Sequence, residues 1–239
     1  MFKDREEAGE RLAEKLEKYK GVKGLLVLAI PRGGVVVGRE VAEALNCPMG
    51  VIITKKIGAP ENPELAIGAM GPDGMVVWNE ELLSQLGFKP KDLVQEIQKA
   101  KLKMQNLRDK IGGIGEIREI GEIGDKVVIL TDDGVATGAT VEAALLYLHT
   151  EMQTCLLASR RSGPARQGCK DTKIILATPV IAADTLKKLK PMVDEVIYLE
   201  APEVFWAVGQ FYREFEQVSD EEVSRIVGDF REFGEFREN

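Results

Sequence analysis

The most informative motif of the sequence is Val127-Val128-Ile129-Leu130-Thr131-Asp132-Asp133-Gly134-Val135-Ala136-Thr137-Gly138-Ala139-Thr140. It begins with a continuous apolar run, which is typical of a strand buried on both faces of a parallel sheet. Two adjacent carboxylates and a loop of small and hydroxyl residues follow, and residues 138–158 then have the apolar spacing of a helix. This order predicts a strand–loop–helix unit of an open α/β sheet.

The same alternation of strand and helix continues on both sides of that stretch. Further strands are predicted at 25–30, 51–54, 174–177 and 196–199, and further helices at 4–19, 35–45, 90–111 and 182–189. Strands that alternate with helices form mostly parallel sheets. We therefore expect an α/β fold with an open, mostly parallel sheet flanked by helices, and a single domain over residues 1–239.

Three segments depart from the alternation. Residues 57–79 are repeatedly interrupted by glycine and proline, and two short apolar runs flank Gly71-Pro72-Asp73-Gly74, which predicts a β-hairpin off the main sheet. Residues 111–124 are rich in Gly, Ile and Glu and are predicted to be a connector. Residues 200–239 contain an aromatic cluster followed by a short acidic helix.

Composition argues against several classes of protein. The net charge is −7, whereas general nucleic-acid binders are more often basic. Three widely spaced cysteines and one histidine, His149, argue against a zinc site or a catalytic triad. The apolar runs are too short to span a bilayer, and the charged N-terminus does not resemble a signal peptide. We therefore expect a cytoplasmic protein without a nucleic-acid or membrane partner.

The carboxylate pair and the loop after it suggest a ligand with sugar hydroxyls and a phosphate. Ligands of open α/β sheets bind at the carboxyl ends of strands, where Asp132 and Asp133 are predicted to lie. Carboxylates accept strong hydrogen bonds from hydroxyl groups, and the start of the helix after Thr137 favours a phosphate. The alternative is that Asp132-Asp133-Gly134 is an ordinary turn and Thr137 a helix cap.

A second anion site is suggested by Pro31-Arg32-Gly33-Gly34, which follows the first predicted strand. One arginine and two glycines with accessible backbone amides form a suitable cradle for clustered anionic oxygens. Lys55 and Lys56 are predicted to end the next strand. The alternatives are a plain strand-to-helix turn with a solvated Arg32, and a solvated strand end at the two lysines.

Residues 128–140 resemble the phosphoribosyl diphosphate (PRPP) signature of the type I phosphoribosyltransferases: apolar residues, two acids and a Thr/Gly loop. Nearly the whole chain also resembles a little-characterised subgroup of such proteins. This resemblance includes the stretches Lys56–Ala69 and Ala207–Tyr212. The region 159–171 is longer here than in the pattern of that subgroup. The resemblance implies that 57–79 is a flap over the active site and that 200–239 contributes a hood.

The resemblance also assigns roles to individual residues. It implies that Asp132 and Asp133 hold the ribose hydroxyls and, with Lys56, form the catalytic group. The remaining PRPP-binding residues that it implies are Arg32, Gly33, Gly34, Gly134, Val135, Ala136, Thr137, Gly138, Ala139 and Thr140. The first three would form the pyrophosphate loop, and Lys56 is preferred to Lys55 as the lysine toward pyrophosphate. Mg²⁺ would bridge pyrophosphate and ribose hydroxyls, with Asp132 as its indirect partner.

The function that this resemblance implies is phosphoribosyl transfer from PRPP to a nitrogenous acceptor, such as a nucleobase, with release of pyrophosphate. Ala136 stands where 6-oxopurine salvage enzymes carry an aspartate, which argues against that acceptor chemistry. Phe205, Trp206 and Tyr212 are candidates to stack on an acceptor ring; packing of the C-terminal segment is the alternative. A homodimer is possible. Two other functions stay open: a PRPP- or nucleotide-sensing regulator without transferase activity, and a hydrolase or pyrophosphorylase.

Overall fold

The computed structural model describes residues 1–72, 74–110, 126–161 and 172–235. The helices are α1 (Arg5–Leu16), α2 (Gly33–Leu45), α3 (Glu80–Leu86), α4 (Val94–Lys110), α5 (Ala139–Arg161), α6 (Ala183–Leu189) and α7 (Asp220–Glu235). The strands are β1 (Leu25–Ala29), β2 (Met49–Val51), β3 (Lys55–Ala59), β4 (Asn62–Met70), β5 (Val76–Trp78), β6 (Val127–Thr131), β7 (Lys173–Val180) and β8 (Glu195–Glu200). The predicted connector 111–124 and most of the segment 159–171 lie outside the described residues.

The main sheet has five parallel strands in the order β2-β1-β6-β7-β8. The register places Ala29 of β1 beside Thr131 of β6, and Thr131 beside Ala177 of β7. The carboxyl ends of these three central strands therefore lie side by side. The predicted fold class, an open parallel sheet flanked by helices with a separate hairpin, is confirmed.

Alternate residues of the central strands pack into two apolar layers, because successive side chains of a strand point to opposite faces. Val27 and Ile129 pack with Leu12 of α1 and Val41 of α2 on one face. On the other face, Leu28 and Leu130 pack with residues of α5, including Leu145 and Leu148. Both faces are covered, which explains why the strands read as continuous apolar runs.

A second sheet of three antiparallel strands, β3-β4-β5, stands apart from the main sheet. The pairing of Gly68 with Trp78 confirms the predicted hairpin between β4 and β5. The predicted strand 51–54 was wrong in its extent, because β2 ends at Val51. The Ile52 amide still donates to the Ala29 carbonyl of β1 at 3.0 Å, whereas Ile53 and Thr54 are buried beyond the end of the strand. An apolar run reports burial, and burial does not require strand pairing.

Because β2 ends earlier than predicted, the two lysines that follow it lie elsewhere than expected. Lys55 and Lys56 were expected to end a strand of the main sheet, but they begin β3, where they pair with Met70 and Ala69 of β4. The sequence pattern predicted neither this third strand nor the short helix α3. Asn79 caps α3 by accepting a hydrogen bond from the Leu82 amide at 3.0 Å.

The N-terminal residues meet the segment 211–213 beside the main sheet. The Phe2 amide donates to the Phe211 carbonyl at 2.7 Å, and the Arg213 amide donates to the Phe2 carbonyl at 2.9 Å. Helix α7 then packs against α2, α4 and β2. Among the described residues, no helix combines the length and the apolar character that crossing a membrane would require.

Candidate functional site

The carboxylate pair lies immediately after β6, at the carboxyl edge of the main sheet. The Asp133 amide donates to Asp132 Oδ1 at 2.9 Å, so the chain turns sharply between the two residues. The Thr178 hydroxyl, from the neighbouring strand β7, lies 3.2 Å from the Asp132 carbonyl and also 3.2 Å from the Val180 carbonyl. Adjacent strand ends thus hold the backbone at this position.

The turn that contains Arg32 packs directly onto the carboxylate pair. A methyl group at Gly33 would lie 1.9 Å from Asp133 Oδ2, and one at Gly34 would lie 2.8 Å from the Asp132 Cα. Only glycine allows such a close approach of backbone and carboxylate. The peptide bond between Pro31 and Arg32 is cis, and α2 begins at Gly33. The structure therefore brings together two motifs that are about one hundred residues apart in the sequence.

Two further side chains hold Asp133. The Arg5 Nε donates to Asp133 Oδ2 at 2.7 Å, and the side chains of both residues are mostly buried. The Tyr212 hydroxyl donates to the Asp133 backbone carbonyl at 2.5 Å. Asp133 is thus held by hydrogen bonds at two points: Arg5 of α1 binds its carboxylate, and Tyr212 of the C-terminal segment binds its carbonyl.

The protonation of the two carboxyls is coupled because they are adjacent and shielded from water. Burial raises the pKa of Asp132 well above its usual range, and the charge of Asp133 raises it further. Burial also raises the pKa of Asp133, but the hydrogen bond and charge of Arg5 oppose that increase. The pair is therefore a place where positive charge or hydroxyl donors on a ligand would be favourable.

The loop after the carboxylates leads into the N-terminus of α5. The Val135 amide donates to the Val180 carbonyl at 2.8 Å, and the Thr185 hydroxyl donates to the Ala136 carbonyl. Gly138 has a φ of +74°, a conformation that strongly favours glycine, and α5 starts one residue later. Because the first amides of a helix have no partner within it, this loop has the geometry of an anion site.

Four positive side chains lie close to one another around the turn that contains Arg32. Burial lowers the pKa of Lys55, and the positive charges of Lys103, Lys56 and Arg32 lower it further. These four residues come from α4, β3 and the turn before α2, so three elements direct positive charge to one region. Arg32 is 38% exposed, and its Nη1 lies 3.7 Å from Asp220 Oδ1.

The three aromatic candidates occupy different environments. Trp206 is 85% exposed. Its amide and that of Ala207 donate to the Gln210 side chain, which also donates to the Val204 carbonyl. Phe205 is half-buried, with its ring centroid 5.0 Å from that of Phe211. This segment is next to the carboxylates, since a methyl group at Gly134 would lie 2.4 Å from Val208 Cγ1.

Tyr212 differs from these two. It is 5% exposed, and its ring lies 5.4 Å from that of Phe2 and 5.0 Å from that of Phe215. Burial and the charge of Asp133 raise the pKa of its hydroxyl. These positions support the packing alternative for Tyr212, because a buried ring between two neighbours has little surface to offer a ligand.

Two residues at this site, Arg5 and Asp220, could not be recognised from the sequence pattern. Arg5 belongs to a helix in which nearly every exposed residue is charged, so nothing distinguishes it from its neighbours in the sequence. Asp220 opens an acidic helix, where a carboxylate is expected for the helix dipole alone. A pairing over 128 residues, such as that of Arg5 with Asp133, leaves no local signal.

Comparison with known proteins gives concordant results. A family profile described as "Phosphoribosyl transferase domain" matches residues 2–211. Two proteins from Mycobacterium tuberculosis strains CDC 1551 and H37Rv, each named "Putative phosphoribosyl transferase", are 36% identical over 98% of this chain. The chain spans about half the length of these curated relatives, since the match covers 49% of each.

A solved structure is similar over nearly the whole chain. The crystal structure of TT1426 from Thermus thermophilus is 34% identical, with a TM-score of 0.77, and the match covers 96% of this chain and 98% of that one. The family resemblance that residues 128–140 predict is therefore confirmed. The chain belongs to the phosphoribosyl transferase domain family, and its carboxylate pair, its Arg32 turn and the start of α5 form the candidate site.

Proposed function

We propose that this protein transfers the phosphoribosyl group of PRPP to a nitrogenous acceptor, with release of pyrophosphate. One observation carries the proposal most directly: the turn at Gly33 lies against the carboxylate of Asp133. A ligand bound by both features must present hydroxyl groups and a clustered anion within one small molecule. PRPP has that combination, with the pyrophosphate on the carbon next to the ribose hydroxyls.

The protein's part in the reaction is to surround a sugar that becomes cationic as pyrophosphate leaves. Asp132 and Asp133 would accept hydrogen bonds from the ribose hydroxyls and place negative charge near the anomeric carbon. The loop Val135–Thr140 and the start of α5 would hold the 5′-phosphate. Fixing the sugar at both ends orients the anomeric carbon toward the acceptor, which is where much of the rate enhancement would arise.

The leaving group would be stabilised by the positive region. Arg32 and the amides of Gly33 and Gly34 would receive the pyrophosphate oxygens. Lys56 stays our preferred lysine for this role, and Lys55, whose charge interacts with Arg32, is its competitor. We propose that the flap closes over the bound ligand and excludes water from the reactive sugar.

The carboxylate pair also fits a magnesium site in which most ligands come from the substrate. Within the described parts of the chain, no three His, Cys, Asp or Glu side chains cluster to hold a metal. Mg²⁺ keeps several waters and takes phosphate oxygens readily, so one carboxylate, Asp132, would be a sufficient indirect protein partner. When bound, the ion would neutralise charge on the leaving pyrophosphate.

The acceptor is the least constrained part of the proposal. Ala136 offers no group to exchange a proton with a purine ring, which favours acceptors other than 6-oxopurines. Trp206 is exposed on a segment that packs against Gly134, so its indole could stack on a flat acceptor. Phe205 is the second candidate, and the position of Tyr212 favours support of Asp133 instead.

The test is incubation of the protein with PRPP, Mg²⁺ and a panel of nucleobases and amines, with pyrophosphate release as the readout. Release that depends on one acceptor supports the proposal, and mass spectrometry of the product would identify that acceptor. PRPP binding without release would favour the sensor function. Pyrophosphate or phosphate release without an acceptor would indicate a hydrolase, and absence of PRPP binding would overturn the account.

A further inference from the structure

We propose that Arg5, at the start of α1, is a positioning residue that aims the Asp133 carboxylate at the ribose of PRPP; this inference rests on the proposed function. The Arg5 Nε is 2.7 Å from Asp133 Oδ2, and the exposed fractions of the two side chains are 11% and 14%. A mostly buried ion pair of this geometry holds its partner far more firmly than an exposed one. Arg5 thus limits the directions in which Asp133 can point.

Arg5 can fix Asp133 only if Arg5 is itself fixed, and the structure provides two restraints. Its Nη1 donates to the Glu216 carbonyl at 2.8 Å. Its guanidinium lies over the Phe215 ring, 3.8 Å from the centroid, which is a favourable cation–π distance. The Phe215 ring stacks on Tyr212, whose hydroxyl holds the Asp133 carbonyl. The contacts therefore form a closed circuit that begins and ends at Asp133.

This circuit also touches the pyrophosphate side of the site. A methyl group at Gly33 would lie 2.8 Å from the Arg5 Nε, as well as 1.9 Å from Asp133 Oδ2. The Gly33 turn therefore packs directly against the ion pair of Arg5 and Asp133. If Asp133 changed direction, it would have to displace either the arginine or the turn. The N-terminal helix is in this way part of the ligand site, although its sequence carries no site motif.

A second arginine offers a matched control for the structural role of α1. Arg39 of α2 connects that helix to α1, because its Nη2 lies 2.6 Å from Glu6 Oε1, and the same nitrogen lies 2.6 Å from Glu40 Oε1 of α2. Its side chain is also mostly buried, at 23% exposed. Arg39→Gln therefore weakens the docking of α1 without touching the carboxylate pair. If Arg5→Gln weakens PRPP binding and Arg39→Gln does not, the loss of affinity cannot be explained by weaker docking of α1.

The experiment measures PRPP affinity by calorimetry, with excess Mg²⁺, for the wild type, Arg5→Gln, Arg5→Lys and Arg39→Gln, together with their melting temperatures. We expect Arg5→Gln to weaken binding by about tenfold, as loss of a supporting partner typically does. Arg5→Lys should recover part of that loss because it restores a charged donor. Arg39→Gln should melt at a lower temperature but bind PRPP within about twofold of the wild type.

Other results would overturn the inference. If Arg5→Gln binds like the wild type, or if the affinities of both glutamine variants fall in parallel with their melting temperatures, Arg5 has no positioning role. If the wild type itself does not bind PRPP, the proposed function fails and this inference with it. A crystal structure of Arg5→Gln with the Asp133 carboxylate unmoved would overturn the inference alone.

A further variant protects the test against failure of Arg5→Gln to fold. Phe215→Leu leaves Arg5 in place but removes the aromatic ring beneath it. We expect a weaker effect in the same direction, about threefold in PRPP affinity, because a cation–π contact at a partly exposed site contributes modestly. If both Phe215→Leu and Arg5→Lys bind PRPP like the wild type, the proposal is wrong.

Discussion

The two halves of the candidate site are built differently. On the side where we propose that the ribose binds (the ribose side), Asp133 is mostly buried and is held at its carboxylate by Arg5 and at its carbonyl by Tyr212. On the side where we propose that pyrophosphate binds (the pyrophosphate side), Arg32 is 38% exposed and its nearest described carboxylate, that of Asp220, is 3.7 Å away. The lysines of that side belong to the small sheet rather than to the main one.

This difference suggests that the two sides bind a ligand in different ways. Groups that are held by several partners are already oriented before a ligand arrives, which lowers the cost of binding. Groups that are exposed or weakly paired must be drawn into place by the ligand's own charge. We therefore expect substitutions on the ribose side to cost more affinity than single substitutions on the pyrophosphate side, and four predictions test that order.

The largest effect is expected where the two halves touch. Gly33→Ala would bring a methyl group to within 1.9 Å of Asp133 Oδ2, so the carboxylate or the turn must move. Because the displaced carboxylate would no longer meet the ribose, we expect PRPP affinity to fall, and the rate of pyrophosphate release to fall by about 100-fold, as a misplacement by about 1 Å can cause. Gly228→Ala in α7 is the matched control, since a methyl group there meets nothing within 4 Å. If Gly33→Ala and Gly228→Ala bind PRPP with equal affinity, the contact between the Gly33 turn and Asp133 does not contribute to binding, which contradicts the prediction.

The next effect tests the ribose side alone. Asp133→Asn keeps the shape of the side chain but removes its charge, and a charged hydrogen bond contributes about 1.5–3 kcal/mol, which is roughly 10- to 150-fold in affinity. Calorimetry with PRPP measures the loss. Asp184→Asn, at an exposed carboxylate in the first turn of α6, should bind like the wild type. Unchanged affinity in Asp133→Asn would remove the ribose role from this residue.

A smaller effect is expected for each lysine of the pyrophosphate side. Because the pKa of Lys55 is lowered, its positive charge should be lost at a lower pH than that of an ordinary lysine. If Lys55 contacts pyrophosphate, affinity for pyrophosphate should fall as the pH rises through this lowered pKa. The difference between the wild type and Lys55→Gln should then shrink with rising pH.

Measuring Lys56→Gln in the same series decides between the two lysines. We expect about a tenfold loss for the lysine that contacts pyrophosphate and a much smaller loss for the other. Lys91→Gln, at an exposed lysine before α4, controls for the general loss of positive charge. A loss confined to Lys55→Gln would contradict our preference for Lys56.

The smallest effect is a gain. Asp220 lies near Arg32 and is 3.0 Å from the Lys110 Nζ, so it competes with an incoming anion for positive charge. Asp220→Asn should raise pyrophosphate affinity by about twofold to threefold, because a partly exposed ion pair contributes little free energy. High salt should reduce this gain in affinity, since it screens exposed charges. A loss of affinity would mean that Asp220 supports Arg32 instead of competing with it.

Much of this architecture could be predicted from local patterns. The apolar runs at β1, β6, β7 and β8 are short-range signals of buried parallel strands, and each was placed within a few residues. The glycines and prolines of the flap marked a hairpin off the main sheet. The same local reasoning failed at Ile53 and Thr54, which are buried but lie beyond the end of β2.

The strand–loop–helix unit around Asp132 and Asp133, and the family to which the chain belongs, could thus be predicted from the amino-acid sequence. These depend on residues that are adjacent in the chain. Which distant groups meet the carboxylate pair became visible in the folded structure: they are the Gly33 turn, Arg5 and Tyr212. Such contacts arise from the strand order and from the pairing of Phe2 with residues 211–213. A charged residue in a helix looks the same in sequence whether it faces water or a buried carboxylate.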